Sequence, residues 1–207
     1  MTTTSAASPR VRGPYAKTAR VRQRILDAAT VVFAGSGYRA TTMKEIAERA
    51  GISERGLVHH FASRSDLLAA VLEQREEANT RRIPSAPGLD ALLGMLDVVA
   101  SDSREPGVVE LHSILSAEAA ATEHPAHEHY RHRYELVRRF ATMSFAALRR
   151  AGELESPLSD EELGAAFVAL SDGLQLQWVY DRYAVDSAVI LRRFLESFVP
   201  GLSTSGA

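Results

Sequence analysis

Residues 41–61 read Thr41-Thr42-Met43-Lys44-Glu45-Ile46-Ala47-Glu48-Arg49-Ala50-Gly51-Ile52-Ser53-Glu54-Arg55-Gly56-Leu57-Val58-His59-His60-Phe61, and they encode two short helices around a tight turn. Thr42 can cap the first helix, with Glu45 three residues on completing a capping box. Ile46 and Ala47 then face inward, and Gly51 supplies the left-handed geometry that stops the helix. Ser53 caps the second helix, Ile52 and Leu57 form a hydrophobic staple, and Leu57 with Phe61 anchors that helix to the core. Glu54, Arg55, Gly56, Val58 and His59 are left without core duties. This is the arrangement of a helix-turn-helix, whose second helix presents side chains to base edges in the major groove of DNA. Helix N-termini also attract phosphate, so Thr42, Lys44 and Ser53 are natural backbone contacts. The plainer alternative is an ordinary helical hairpin. Two caps, a glycine turn and basic surroundings weigh against it.

Charge supports that division of labour. The formal net charge of the 207 residues is -2. Residues 1–82 carry 14 Lys/Arg against 8 Asp/Glu, and residues 83–207 carry 10 against 18. A basic front half fits an anionic partner, and an acidic rear half argues that only the front touches it. Only Lys17 and Lys44 among the 24 basic residues are lysine, but arginine runs through both halves, so biased codon usage explains it better than phosphate recognition. With no cysteine, disulfides and thiolate metal sites are ruled out. No apolar run approaches a membrane span and the N-terminus lacks the apolar core of a signal peptide, which predicts a cytoplasmic protein with no membrane partner.

The rest of the chain reads as helices between firm stops, with no strand-like alternation. Residues 1–16 are rich in Thr, Ser, Ala, Pro and Gly and read as a flexible arm. No acidic residue precedes Asp27, so a solvated tail and an electrostatic arm along the phosphate backbone are equally good readings. Ile25, Ala29, Val32 and Phe33 mark one face of an amphipathic helix that Gly35 and Gly37 end. Ser63 with Asp66 opens a further helix carrying Leu67, Leu68, Val71 and Leu72, which Pro84–Gly88 stops. Five more helices are predicted near 89–101, 107–121, 125–151, 160–181 and 187–198, giving an all-α fold of about nine helices.

The front of the chain resembles the tetracycline-repressor (TetR) family of bacterial transcription regulators. The matching residues are Arg22 with Ile25-Leu26, Ala28-Ala29, Phe33, Gly37-Tyr38, Thr41-Thr42, Ile46-Ala47, Ala50-Gly51-Ile52-Ser53, Leu57, His60-Phe61 and Leu67. The match is specific over roughly residues 20–70; behind that it rests on length and helix number. It implies an N-terminal helix-turn-helix domain over 17–66 and a ligand-binding and dimerisation domain over 67–202. Three residues depart from the family's pattern. Arg55 stands where Gly is usual, Gly56 where a small residue such as Thr or Ala is common, and Val58 where a phosphate-contacting Tyr is usual. Gly56 costs about 0.5–1 kcal/mol of helix stability, which predicts a helix ordered further by DNA. Val58 cannot hydrogen-bond phosphate but could meet a thymine methyl, and Arg55 could read guanine or hold a phosphate with equal ease. His60 matches the motif, where it contacts phosphate or supports the helix, and Arg64 replaces a usual Lys, which suits another backbone contact.

In the rear, Leu163, Phe167, Leu170, Leu174 and Trp178 form one apolar stripe, and Ala165, Ala169 and Gly173 line a face of small residues. The last helix carries Val189, Phe194 and Phe198 among more apolar surface than one contact face needs. The resemblance implies that these two helices pair with their copies in a four-helix dimer interface; monomeric core packing is the plain alternative. Between reader and interface, the resemblance implies an apolar pocket whose ligand shifts the spacing of the reading heads. Met95, Leu96, Val99, His112, Leu115, Tyr130, Tyr134, Val137, Phe140 and Met143 lie there, with Tyr134, His112 and Trp178 as polar handles; most are better read as plain core. The function expected is therefore a dimeric repressor released from a palindromic operator by a small apolar effector. The alternative is a ligand-independent architectural or protein-interaction module of the same fold.

His124, His127, His129 and His132 crowd nine residues, but only His129 and His132 share a helix face, so a solvated helix start is the better reading than a metal site. No nucleophile–base constellation and no phosphate-cradling glycine loop occurs. No enzyme, metal or cofactor is expected.

Overall fold

The computed structural model describes residues 14–104 and 106–202. Among them are nine α-helices, no strand and a closing 3-10 turn at Pro200–Leu202. In chain order the helices are α1 (Pro14–Ala40), α2 (Met43–Ala50), α3 (Glu54–His60), α4 (Arg64–Thr80), α5 (Leu89–Asp102), α6 (Pro106–Glu118), α7 (His127–Ala151), α8 (Asp160–Tyr180) and α9 (Ser187–Glu196). The five rear helices fall close to the spans expected from their punctuation. The N-terminal arm, up to residue 13, lies outside the described residues.

Local chemistry sets most helix ends. Thr42 accepts from the Glu45 amide and Ser53 from the Gly56 amide, while Gly51 ends α2 in the left-handed conformation at φ 67°. The capping box is complete at α8 instead, where Ser159 and Glu162 satisfy each other's backbone amides. Gly35 does not end α1, since the helix runs past it and breaks only at Gly37. There the backbone adopts φ 72° and ψ 173°, a combination open essentially to glycine alone.

Two apolar cores lie along the molecule. The front one is built from α1 to α4, and it also takes Leu111 and Leu115 from α6, Ala119 just beyond its end and Tyr130 from α7. The expected border at 66/67 thus falls inside the first turn of α4, and the core continues across it. The rear core joins α5, α7, α8 and α9 through Leu92, Phe145, Leu163, Phe167 and Leu191. Close packing is visible at Gly164, where an added Cβ would lie 2.4 Å from the Thr142 hydroxyl of α7.

The α1 break is the joint between front and rear. The Tyr38 amide donates to Glu118 Oε2 of α6 at 2.8 Å, and the Tyr38 hydroxyl meets Ser65 Oγ at 2.8 Å. Tyr38 also packs edge-on against His124, with ring centroids 5.0 Å apart, and Arg39 pairs with Glu123 at 3.2 Å. His124 is therefore buried and structural. This corrects the expectation of a solvated histidine cluster, in which only His132 is exposed. His127 Nδ1 donates to the Ala119 carbonyl at 2.8 Å, and His129 lies 3.8 Å from Glu76. Among the described residues no three His, Asp or Glu side chains gather as a metal site would require.

A Cβ at Gly37 would lie 2.5 Å from Glu118 Oε1 and would strain the backbone. Gly37→Ala should therefore lower the unfolding free energy by about 2 kcal/mol, measured by urea denaturation. Gly35→Ala, in open space on the same helix, should be neutral or stabilise by up to about 1 kcal/mol. Equal effects of the two would contradict this account of the joint.

Candidate nucleic-acid interface and interior cavity

Helix α3 is held to the front core by one buried residue, Leu57, and by Phe61 just beyond its end. Ile52 packs against the same core, as the staple requires. Arg24 of α1 donates to the Ala50 carbonyl at 2.7 Å, closing the C-terminal end of α2 and tying the two-helix unit to α1. Arg22 lies over the Phe61 ring at 5.1 Å. The contact of Arg24 went unread in the sequence, because one arginine among many carries no sign of a partner 26 residues away.

The reading face is open. Thr42, Lys44, Ser53, Glu54, Arg55, Val58 and His59 are exposed, and Gly56 and His60 are half-buried. Val58 shows 46% of its surface, unusual for an apolar residue on a short helix and suited to contact with a base methyl. Lys44 is tied only loosely, to Glu48 at 3.9 Å with both side chains largely exposed. The Ser53 and Thr42 hydroxyls accept from backbone amides, so a phosphate would meet the N–H groups left free in each first turn.

Arg64 is placed differently from expectation. Its guanidinium lies 4.2 Å over the Tyr38 ring and donates to the carbonyls of Thr41 and Arg39. Half-buried and engaged with the end of α1, it holds the joint.

Behind the reader, a cavity of about 340 Å³ opens between α4, α5, α7 and α8 and the segment leading into α5. Its walls are mainly apolar, from Met95, Val98 and Val99 on α5, Leu136, Val137 and Phe140 on α7, and Phe167 and Val168 on α8. Of the residues expected there, Met95, Val99, Tyr134, Val137 and Phe140 line it. Leu96, Leu115 and Trp178 do not, being buried within the packed interior. His112 also lies off the wall, but its Nε2 is 3.5 Å from Asp172, which does line the cavity. Burial pushes the His112 pKa below its ordinary value. Burial works to raise the Asp172 carboxyl, yet the His112 contact, the Tyr134 hydroxyl and the nearby Arg133 together hold it below the usual range. Asp172 thus stays ionised beside a neutral imidazole. Burial, with Asp172 adding to it, pushes the Tyr134 phenol upward, so it stays protonated. Sequence reasoning missed Asp172, Gln175, Arg75 and Arg133, because a polar residue on an apolar stripe reads as a surface interruption until a cavity is seen beside it.

The residues expected at a dimer interface divide in two. Phe167 and Leu174 are buried within the protomer, so they cannot form an outer surface. Leu170, Phe194 and Phe198 are half-buried, and Val189 is 45% exposed. The outer face of α8 is formed instead by Ala165, Ala169, Gly173, Leu176 and Tyr180.

Three single changes separate the roles on the reader. Lys44→Ala should weaken DNA binding evenly across sequences and reduce the salt slope by about one. Arg55→Ala should relax sequence preference, by about 1–3 kcal/mol at the position read if the contact is to guanine. Arg64→Leu should lower the melting temperature while leaving the salt slope unchanged, since its charge is spent on the α1 end. Fluorescence-anisotropy titrations over a salt series, with melting curves beside them, check all three. Equal behaviour of Lys44→Ala and Arg55→Ala would refute the division of roles.

Comparison with known proteins agrees with this geometry. Residues 25–71 match the family described as bacterial regulatory proteins, tetR family, and residues 89–200 match the BetI-type transcriptional repressor, C-terminal. The HTH-type transcriptional repressor KstR2 of Rhodococcus jostii is 27% identical over 188 residues, covering 88% of this chain and 91% of that protein. A TetR-family transcriptional regulator from Agrobacterium tumefaciens superposes with a TM-score of 0.72 at 20% identity, over 87% of this chain and 98% of the other. The complex of SmeT, a repressor from Stenotrophomonas maltophilia, with triclosan gives 0.70 at 19% identity, over 91% and 96%. Together with the capped two-helix reader and the all-helical rear, these matches establish that the chain belongs to the TetR family of DNA-binding transcription regulators.

Proposed function

We propose that the chain is a cytoplasmic, dimeric repressor that reads a palindromic operator with α3 of each copy and leaves it when a small, largely apolar molecule fills the cavity. The observation that carries this reading is α3 itself. One buried leucine anchors it while Glu54, Arg55, Val58 and His59 stand clear of the protein. Thr42, Lys44, Ser53 and His60 flank that face as candidate phosphate contacts. Gly56 gives it the looseness that DNA would remove. Val99, Tyr134, Val137 and Phe140 are the proposed effector contacts. The cavity also speaks for a ligand-responsive regulator over a ligand-independent module.

Dimerisation is supported by the small-residue stripe on α8. Ala165, Ala169 and Gly173 stand outward with open space at Gly173, which allows another helix to approach closely. Leu176 and Val189, 49% and 45% exposed, continue that stripe as apolar surface, and Phe194 and Phe198 lie half-buried on and just after α9. A two-fold pairing through α8 and α9 would cover these positions and set two copies of α3 at a fixed spacing.

A mobility-shift titration with the DNA just upstream of this protein's own gene tests the operator. Binding that resists unrelated competitor DNA is expected, and binding indifferent to sequence would overturn the reading. Ala169→Arg, at an exposed helical position, should turn the dimer into a monomer in sedimentation velocity and cost operator affinity at least about tenfold. A dimer that persists unchanged would place the interface elsewhere.

A further inference from the structure

The charges around the cavity select what can enter it. Five ionisable side chains besides tyrosine line it, namely Arg75, Glu76, Asp102, Arg133 and Asp172. Four are matched in two pairs, Arg75 with Asp102 at 2.7 Å and Arg133 with Glu76 at 2.7 Å. Asp172 is the fifth. Among the described residues no arginine or lysine reaches it at ion-pair distance, and the groups facing it are His112 and the Tyr134 hydroxyl. Both are neutral donors, for the burial reasons given above. The lining therefore carries one uncompensated negative charge, on a carboxylate with a third of its side-chain surface open.

A carboxylate facing apolar walls without a counter-charge is costly. A carboxylate-bearing occupant would add repulsion to that cost, and a purely apolar one would leave it in place. An occupant with a single positive charge and N–H donors removes it.

We propose that the cavity takes a monocationic amphiphile, a protonated amine on an apolar body. The ammonium donates to Asp172, and the body fills the space between Val99, Phe140 and Phe167. The cavity, about 340 Å³, stands near the lower end of the range of roughly 300–1,000 Å³ common for small-molecule sites. This deepens the reading of the cavity as the effector site and rests on it.

The test is calorimetric titration of the full-length protein at pH 7 with phenylbutylamine, phenylbutanol and phenylbutyrate, which share one apolar body. The amine should bind about tenfold or more tightly than either other compound, as a charge-assisted hydrogen bond provides. In Asp172→Asn the advantage of the amine over the alcohol should disappear, while Phe140→Ala should weaken both alike. Tightest binding by the carboxylate, or an amine advantage that survives in Asp172→Asn, overturns the proposal. If alcohol and amine bind equally, the amine class fails and the cavity remains an effector site. If none of the three binds, both readings fail.

Discussion

The front core of this protein cannot be closed by the front of the chain. Leu111 and Leu115 of α6 complete the apolar cluster that α1, α2 and α4 begin, and Glu118 at the end of α6 accepts the amide freed where α1 breaks at Gly37. That single carboxylate satisfies a half-buried backbone donor and occupies the space a side chain at residue 37 would need. The DNA reader is therefore not an independent module on a tether. It is built onto α6, and any shift of α6 must either carry α1 along or break the Tyr38–Glu118 bond. Arg64, stacked on Tyr38 and bonded to the last carbonyls of α1, stiffens the same joint from the α4 side. Helix α4, which lines the cavity, thus meets the end of α1 at this same small set of contacts.

The cavity shows how one helix serves two purposes. Helix α8 turns Phe167, Val168, Ser171, Asp172 and Gln175 toward the cavity, and Ala165, Ala169 and Gly173 away from it. The residues that would contact an effector and those that would contact a second copy of the chain are consequently neighbours on one rigid element. A small rotation of α8 would be felt on both faces, a simple physical route from occupancy to the spacing of two reading heads.

Much of the fold was legible in the sequence because its signals are local. Thr42, Gly51 and Ser53 announce their caps within four residues, and Pro106, Gly152 and Pro200 punctuate the rear helices within a few residues of their ends. The open face of α3 was legible for the same reason, since the spacing of Leu57 and Phe61 leaves the other residues of α3 without core work. What failed was non-local. Gly35 looked like a stop because its helical neighbours do not reveal that only Gly37 takes a positive φ. Phe167 and Leu174 looked like interface because periodicity marks an apolar face without saying what covers it. Arg64 looked like a phosphate contact because the Tyr38 ring that holds it is 26 positions away. His124 looked solvated because its place between Tyr38 and Glu118 depends on how α1 meets α6.

The claim on which the rest depends is that α2 and α3 form the DNA-contacting surface, with the acidic rear half kept clear. Hydrogen–deuterium exchange of the full-length protein with and without an operator-bearing DNA fragment tests it most directly. Slowed exchange across Met43–His60, largest in the α3 turn that contains Gly56, with α8 and α9 unchanged, is the expected result. Unchanged exchange in α3 together with protection in the rear helices would contradict it.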